Sequence, residues 1–352
     1  MMEPDKVDLV FEGGGVKGIA LAGAVECLET MGLKPQNVVG TSAGAIVAAL
    51  VAAGYSARDV RGIVAGLDYR RFRDMRLLDR FPVVGPVLGL LREKGLYEGA
   101  YLESWLRKLL AESPRQVHTF KDLHWEDEEG REVDPKYRYR LQVVATDLSR
   151  RRQIVLPWDI RDYGRDPDQL DVAWAVRMSM SLPFFFEPVR LEDGQGHTSF
   201  IVDGGVLSNF PVDILDDESA HPRWPTFGLK LVERTRADGR EEVVPCRIQG
   251  PVSLLKAVIS TMLEAHDTRY IEQKNFDRTI AIPTLGVKTT DFGLREEQVH
   301  ALYQAGYTAA ERFLQTWDFQ GWIRRYRQSE PPSQETAGER AREGITALAA
   351  SM

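Results

Sequence analysis

Residues 38–54 read Val-Val-Gly-Thr-Ser-Ala-Gly-Ala-Ile-Val-Ala-Ala-Leu-Val-Ala-Ala-Gly. The apolar pair Val38 and Val39 runs into Gly40-Thr41-Ser42-Ala43-Gly44. A helix of small residues, Ala43 to Ala53, runs out of it and stops at Gly54. A strand that turns into a helix within one serine has few backbone solutions, and Gly-x-Ser-x-Gly in that context is a nucleophile elbow. Gly40 and Gly44 support the turn, because a Cβ at either position would clash where the backbone folds back. The helix then points the positive end of its dipole at Ser42, which favours negative charge developing there.

Length and composition bound what this elbow can belong to. A chain of 352 residues has room for one large α/β domain. The net charge of −7 offers no global basic footprint for nucleic acid. The two cysteines, Cys27 and Cys246, have no metal-ligand spacing between them, so no metal site is expected and a reducing, cytoplasmic compartment is the default. Met1 to Lys6 lacks the basic and apolar regions of a secretory signal. No apolar run approaches the ~18 residues of a membrane-spanning helix.

Upstream of the elbow, Val7 to Phe11 reads as a buried strand that ends in Glu12-Gly13-Gly14-Gly15-Val16-Lys17-Gly18. A helix from Ile19 to Met31 follows, with Gly32 at its end. The glycines have three readings. One is a flexible turn. A second is dinucleotide binding, since Gly13, Gly15 and Gly18 match G-x-G-x-x-G, but the next strand ends in Gly40-Thr41 without the required carboxylate. The third is an oxyanion hole, in which successive glycine N–H groups cradle an anion. Consecutive strands of a parallel sheet end side by side, so this loop would neighbour Ser42, and the third reading takes most of the weight.

Along the rest of the chain, Ser56 is the expected N-cap of a helix. Residues 68–94 change character, with seven Lys or Arg and three Asp or Glu between Arg70 and Lys94 beside the apolar run Phe81 to Leu91. That segment is either ordinary packing with a solvated face, or a lid or interfacial patch for peripheral membrane contact through 70–94. Gly95 to Gly99 reads as a turn, Tyr101 to Ala111 as an amphipathic helix and 124–136 as a charged loop. Tyr137 to Ala145 alternates as a strand, turning at Thr146 to Ser149 into a second strand from Gln153 to Leu156. Ala173 to Met180 is helical and ends at Ser181-Leu182-Pro183. Phe184 to Phe186 are wall material, of the core or of an acyl pocket. Thr226 to Val232 and Thr279 to Ile282 read as strands, Val252 to Tyr270 and Leu294 to Trp317 as helices. Residues 1–327 are expected to form a single domain, and 328–352 a disordered or short-helical tail.

Ser199 to Val202 is a strand leading into Asp203-Gly204-Gly205. Alone, Asp-Gly is a hairpin signal. Beside an elbow and a glycine cradle it gains a second meaning, because an activated serine needs a base at a neighbouring strand end. The six histidines are poorly placed for that task, and only His197 falls near a strand, on its wrong side. Asp203 is the candidate base.

Three patches therefore stand in order: Gly13 to Gly18, Gly40 to Gly44, and Asp203 to Gly205. Their order and spacing resemble the patatin-like phospholipase family in its bacterial branch. Gly95-Leu96-Tyr97-Glu98-Gly99 and the Ser181-x-Pro183 turn also resemble it, and the similarity runs over 7–214. Glu12 and Lys17 are mild departures from its usual residues. The resemblance implies a three-layer α/β/α fold with a mostly parallel central sheet, a modified α/β-hydrolase type. It implies a Ser42–Asp203 dyad without histidine, no metal or other cofactor, and an oxyanion hole of Gly13, Gly14 and Gly15 with Lys17 and Gly18 supporting the loop. Gly204 and Gly205 are expected, with Gly40 and Gly44, to support the elbow. The substrate class it implies is a phospholipid or other acyl-ester lipid. Alternatives are a carboxylesterase or acyltransferase with the same dyad, a non-catalytic lipid-binding protein on the same fold, and, from the glycine pattern, a nicotinamide-binding oxidoreductase.

Overall fold

The computed structural model of the chain describes residues 5–66, 95–97, 99–125, 135–217, 219–232, 273–287 and 293–328, with single residues at 248, 257 and 261. The lid or interfacial segment 68–94, most of the expected helix 252–270 and the tail from 329 onward lie outside the described residues, as does Cys246. Two units divide the chain, residues 1–216 with 224–317, and residues 217–223 with 318–352.

The first unit has an α/β architecture, a mostly parallel sheet flanked by helices. Its strands are β1 (Lys6–Phe11), β2 (Lys34–Thr41), β4 (Leu141–Asp147), β5 (Arg152–Leu156), β7 (Val189–Glu192), β8 (Thr198–Asp203), β9 (Thr226–Val232) and β10 (Thr279–Pro283). They run in the order β10-β9-β1-β2-β4-β8-β7, with β5 paired to β4. The pairings from β10 to β4 are parallel, whereas β5 and β8 meet β4 antiparallel. Period-two alternation divides the side chains between the two faces. Leu9, Phe11, Val38, Val143 and Ala145 enter the large core built with α1 (Gly18–Thr30), α2 (Ala43–Ala52) and α3 (Ala57–Ala65). Val10, Val39 and Val144 face the other way, onto Phe210, Val212 and Leu215.

Several boundaries differ from the sequence pattern. The fourth strand starts at Leu141 rather than Tyr137, because Pro135 to Tyr137 winds into a short 3-10 turn. Buried Tyr139 keeps the apolar alternation by packing on Phe120 and Trp158 outside any strand. That strand also runs through Thr146 and Asp147, and the turn falls at Leu148 to Arg151, where Arg151 has φ 56°. Gly95 to Tyr97 is not a turn but strand β3, paired in parallel with β6 (Phe184–Phe186). The strand β7 had no signal strong enough to separate it from its loop.

Two more helices, α4 (Ala100–Ala111) and α5 (Val172–Ser179), belong to the same unit. The long helix α6 (Glu296–Thr316) lies against α1 with unusual closeness. A Cβ built on Gly306 would stand 1.8 Å from the Ala20 carbonyl oxygen, and one on Gly23 would stand 2.0 Å from the Tyr303 carbonyl oxygen. The two backbones touch through these glycines. In the second unit, α7 (Phe319–Tyr326) is capped by Asp318, whose carboxylate accepts the Gly321 N–H.

Helix α3 opens with a complete capping box between Ser56 and Asp59. It carries an exposed Gly62, around which a built Cβ would meet nothing within 4 Å. A mid-helix glycine there costs backbone entropy without any steric reason. Gly62→Ala is therefore expected to raise unfolding stability by about 1 kcal/mol, read as a higher denaturant midpoint. An unchanged or lowered midpoint would contradict the open environment.

Candidate active site

Ser42 stands between β2 and α2 with φ 53° and ψ −129°, in the left-handed half of backbone space that a side chain enters only under constraint. The constraint is visible at both flanking glycines. A Cβ on Gly40 would lie 2.5 Å from Ala45 Cα, and one on Gly44 would lie 2.5 Å from the carbonyl oxygens of Phe11 and Glu12. Gly44 thus lets α2 press against the end of β1, bringing the glycine loop beside the serine. Although Ser42 occupies the N-cap of α2, its hydroxyl does not cap that helix. It donates instead to Asp203 Oδ2 at 2.6 Å.

Asp203 reaches this point against the direction of the sheet. The strand β8 is antiparallel to β4, so it begins beyond the rim and runs down towards it. It stops with Asp203 opposite Ala145, one residue from Val144, which is itself opposite Thr41. Asp203 is fully buried, and its other oxygen accepts the Gly205 N–H at 2.8 Å. Burial disfavours the charged form and pushes the carboxyl up to about 6, opposed by the hydrogen bonds from Ser42 and Gly205. Gly204 lets the turn seat itself, since a Cβ there would stand 2.4 Å from the Val144 carbonyl oxygen.

The glycine loop is anchored on one side and open on the other. Gly13 N–H donates to the Asn209 carbonyl at 3.3 Å, and Asn209 Nδ2 donates back to the Gly13 carbonyl at 3.1 Å. A Cβ on Gly13 would lie 2.2 Å from Asn209 Oδ1 and 2.9 Å from Ser42 Cβ. The Gly13 amide is therefore engaged. The N–H groups of Gly14 and Gly15 have no partner among the described residues, and Gly15 turns at φ 56°. The N–H groups of Lys17 and Gly18 are engaged as well, with the carbonyls of Gly14 and Gly15. Lys17 is buried. Gly18 makes only ordinary contacts, a built Cβ standing 3.9 Å from Val47, so packing does not demand a glycine there. Glu12, buried just before the loop, accepts the Leu231 N–H and pairs with Lys230 at 3.3 Å, tying the end of β1 to β9.

Two contacts in this arrangement have no counterpart in the sequence reading. Ser179 Oγ accepts the Ser42 N–H at 2.8 Å, and Asn209 holds Gly13 as described. Their only sequence signals were position, Asn209 six residues past Asp203 and Ser179 two before Ser181. Among the described residues no group of three or more His, Cys, Asp or Glu could hold a metal ion. Nor is any described helix long and apolar enough to cross a membrane.

A strained serine, a buried carboxylate with a raised pKa and backbone amides without a partner among the described residues can together activate a hydroxyl and stabilise an oxyanion. The family model described as "Patatin-like phospholipase" matches residues 9–216. YqhO of Bacillus subtilis strain 168, described as uncharacterized, is 37% identical over 313 residues, covering 89% of this chain and 99% of that protein. The "Probable lipid hydrolase 463L" of Invertebrate iridescent virus 6 is 27% identical over 209 residues, 58% of this chain and 62% of that protein. In three dimensions the chain is similar to VipD from Legionella pneumophila, with a TM-score of 0.51 at 20% identity over 89% of this chain and 67% of that one, a likeness of fold alone.

Proposed function

The chain belongs to the patatin-like phospholipase family, a family of lipid ester hydrolases, and we propose that it cleaves acyl esters of membrane lipids, as a phospholipase A or lysophospholipase, through Ser42 and Asp203. The observation that carries this reading is the 2.6 Å hydrogen bond from the Ser42 hydroxyl to the buried Asp203 carboxylate.

In the proposed mechanism Asp203 takes the Ser42 proton as the hydroxyl attacks the ester carbonyl. The free N–H groups of Gly14 and Gly15 receive the tetrahedral oxyanion, each such donor being worth about 3 kcal/mol. Asp203 then returns the proton to the departing alcohol and leaves an acyl-Ser42. Water, giving its proton to Asp203, attacks that acyl group, and Asp203 passes the proton on to Ser42 Oγ as the acyl–oxygen bond breaks and the fatty acid is freed. Gly13 fixes the loop rather than binding the oxyanion, because its N–H already donates to the Asn209 carbonyl. An ordinary aspartate is a weak base, and the raised pKa of Asp203 brings its basicity nearer to neutral pH.

The test joins covalent labelling to turnover. A fluorophosphonate is expected to label the parent protein and not Ser42→Ala. Among lipid substrates, hydrolysis is expected to rise when diacyl or lysophospholipids aggregate. Because the base works only when ionised, kcat/KM should fall about tenfold per pH unit below pH about 6. Labelling with equal rates on dispersed and aggregated esters would favour a carboxylesterase, and failure of the parent to label would remove the serine mechanism.

A further inference from the structure

Three consecutive residues, Ser179, Met180 and Ser181, touch both members of the Ser42–Asp203 pair. Ser179 ends α5 and is fully buried. Its hydroxyl accepts the Ser42 N–H at 2.8 Å and donates to the Val144 carbonyl at 2.6 Å. Met180 Sδ lies 3.9 Å from Ser42 Oγ. The Ser181 carbonyl accepts the Asp203 N–H at 3.0 Å. The turn is itself held by buried Arg177, which binds the Ser181 hydroxyl and donates to the Glu187 carbonyl at 3.0 Å.

The physical problem solved here is the backbone of Ser42. Its positive φ is unfavourable for a residue with a Cβ, by roughly 1–2 kcal/mol, and persists only where the surroundings over-determine it. The flanking glycines permit the conformation without choosing it. The bond to Ser179 does choose, because it orients the peptide plane that enters Ser42 and so the direction of the hydroxyl. The Ser179 hydroxyl cannot rotate away without losing Val144. On the far side of the turn, Ser181 holds the backbone of Asp203, so one short segment sets the separation of hydroxyl and carboxylate.

We propose that Ser179 is a positioning residue of the reaction, its hydroxyl fixing the Ser42 backbone so that Oγ faces Asp203. This rests on the reading of Ser42 and Asp203 as nucleophile and base. Ser179 touches no reacting atom, so its removal should affect the rate of the chemical step and leave substrate binding alone.

The experiment compares Ser179→Ala and Ser179→Cys with the parent and with Ser42→Ala and Asp203→Asn. The substrate is a short-chain phospholipid, and kcat is expressed per mole of folded protein. Ser179→Ala is expected to lose about 10- to 100-fold in kcat, as sub-ångström misplacement does, with KM within twofold of the parent. Ser179→Cys keeps a weak donor and acceptor of similar size and should fall between the two. Parental kcat in Ser179→Ala, while Ser42→Ala and Asp203→Asn are inactive, would overturn the positioning role alone. Activity surviving in those two would instead overturn the reading beneath it. Variants at 179 that lose kcat only in step with a lowered melting temperature would also overturn the proposal, in favour of a purely structural serine.

Discussion

An Asp203→Asn variant is expected to lose about 10³- to 10⁴-fold in kcat and, above pH 6, to be more stable than the parent protein. The first effect follows from the role proposed for this residue, since an amide of the same shape cannot take the Ser42 proton. The second follows from its burial. The Asp203 carboxyl is raised from the ordinary carboxylate range to about 6 by loss of water around the charge. Between pH about 4 and 6 the folded state holds this proton and the unfolded state does not. The corresponding stability is thus complete at low pH and is lost as the pH rises through 6. Two pKa units correspond to about 3 kcal/mol. Asparagine removes the charge and so recovers part of that amount at pH 8, less what the weaker hydrogen bonds forfeit. Thermal melts of both proteins at pH 4 and pH 8 would show it, as a gap in favour of the variant that opens with rising pH. A gap independent of pH would mean that the carboxylate is not strained by burial.

Gly306→Ala is expected to destabilise the fold by about 3 kcal/mol, although alanine is the better helix former by about 1 kcal/mol. The added methyl group would have to occupy a point 1.8 Å from the Ala20 carbonyl oxygen and 3.1 Å from the Ala24 nitrogen. Both are backbone atoms of α1, so no rotamer change can relieve the contact and the helices must separate. The neighbouring contact at Gly23, 2.0 Å from the Tyr303 carbonyl oxygen, resists any sliding of one helix along the other. Because α1 begins at Gly18, directly after the glycine loop, the displacement should also lower turnover. Equilibrium denaturation gives the stability change, and parent-like stability in Gly306→Ala would show that the helices can part cheaply.

The sequence revealed elements whose cause is local. The elbow could be read because Gly40, Ser42 and Gly44 answer a steric demand within five residues. The box at Ser56 and Asp59 is likewise self-contained. Pairings across the fold left weaker marks. Tyr137 and Tyr139 alternated like a strand because one of them is buried against Phe120 and Trp158, which no local pattern reveals. Phe184 to Phe186 looked like bulk apolar material because their partner strand lies about ninety residues earlier, at Gly95 to Tyr97. At the site, the placement of the glycine loop beside Ser42 was legible. The engagement of the Gly13 amide was not, since its acceptor sits at Asn209. Ser179 was equally silent, one serine among many until the chain brings it beneath Ser42.

The strand that delivers the glycine loop has neighbours on both sides, β2 from the matched region and β9 from beyond it. The recognisable family segment therefore ends before one of the two strands that flank β1. Excised at residue 216, it would leave the outer edge of β1 bare and Glu12 without Lys230, an open template for another chain in place of an interior strand. Through Glu12 the glycine loop is tied to a cation more than two hundred positions downstream.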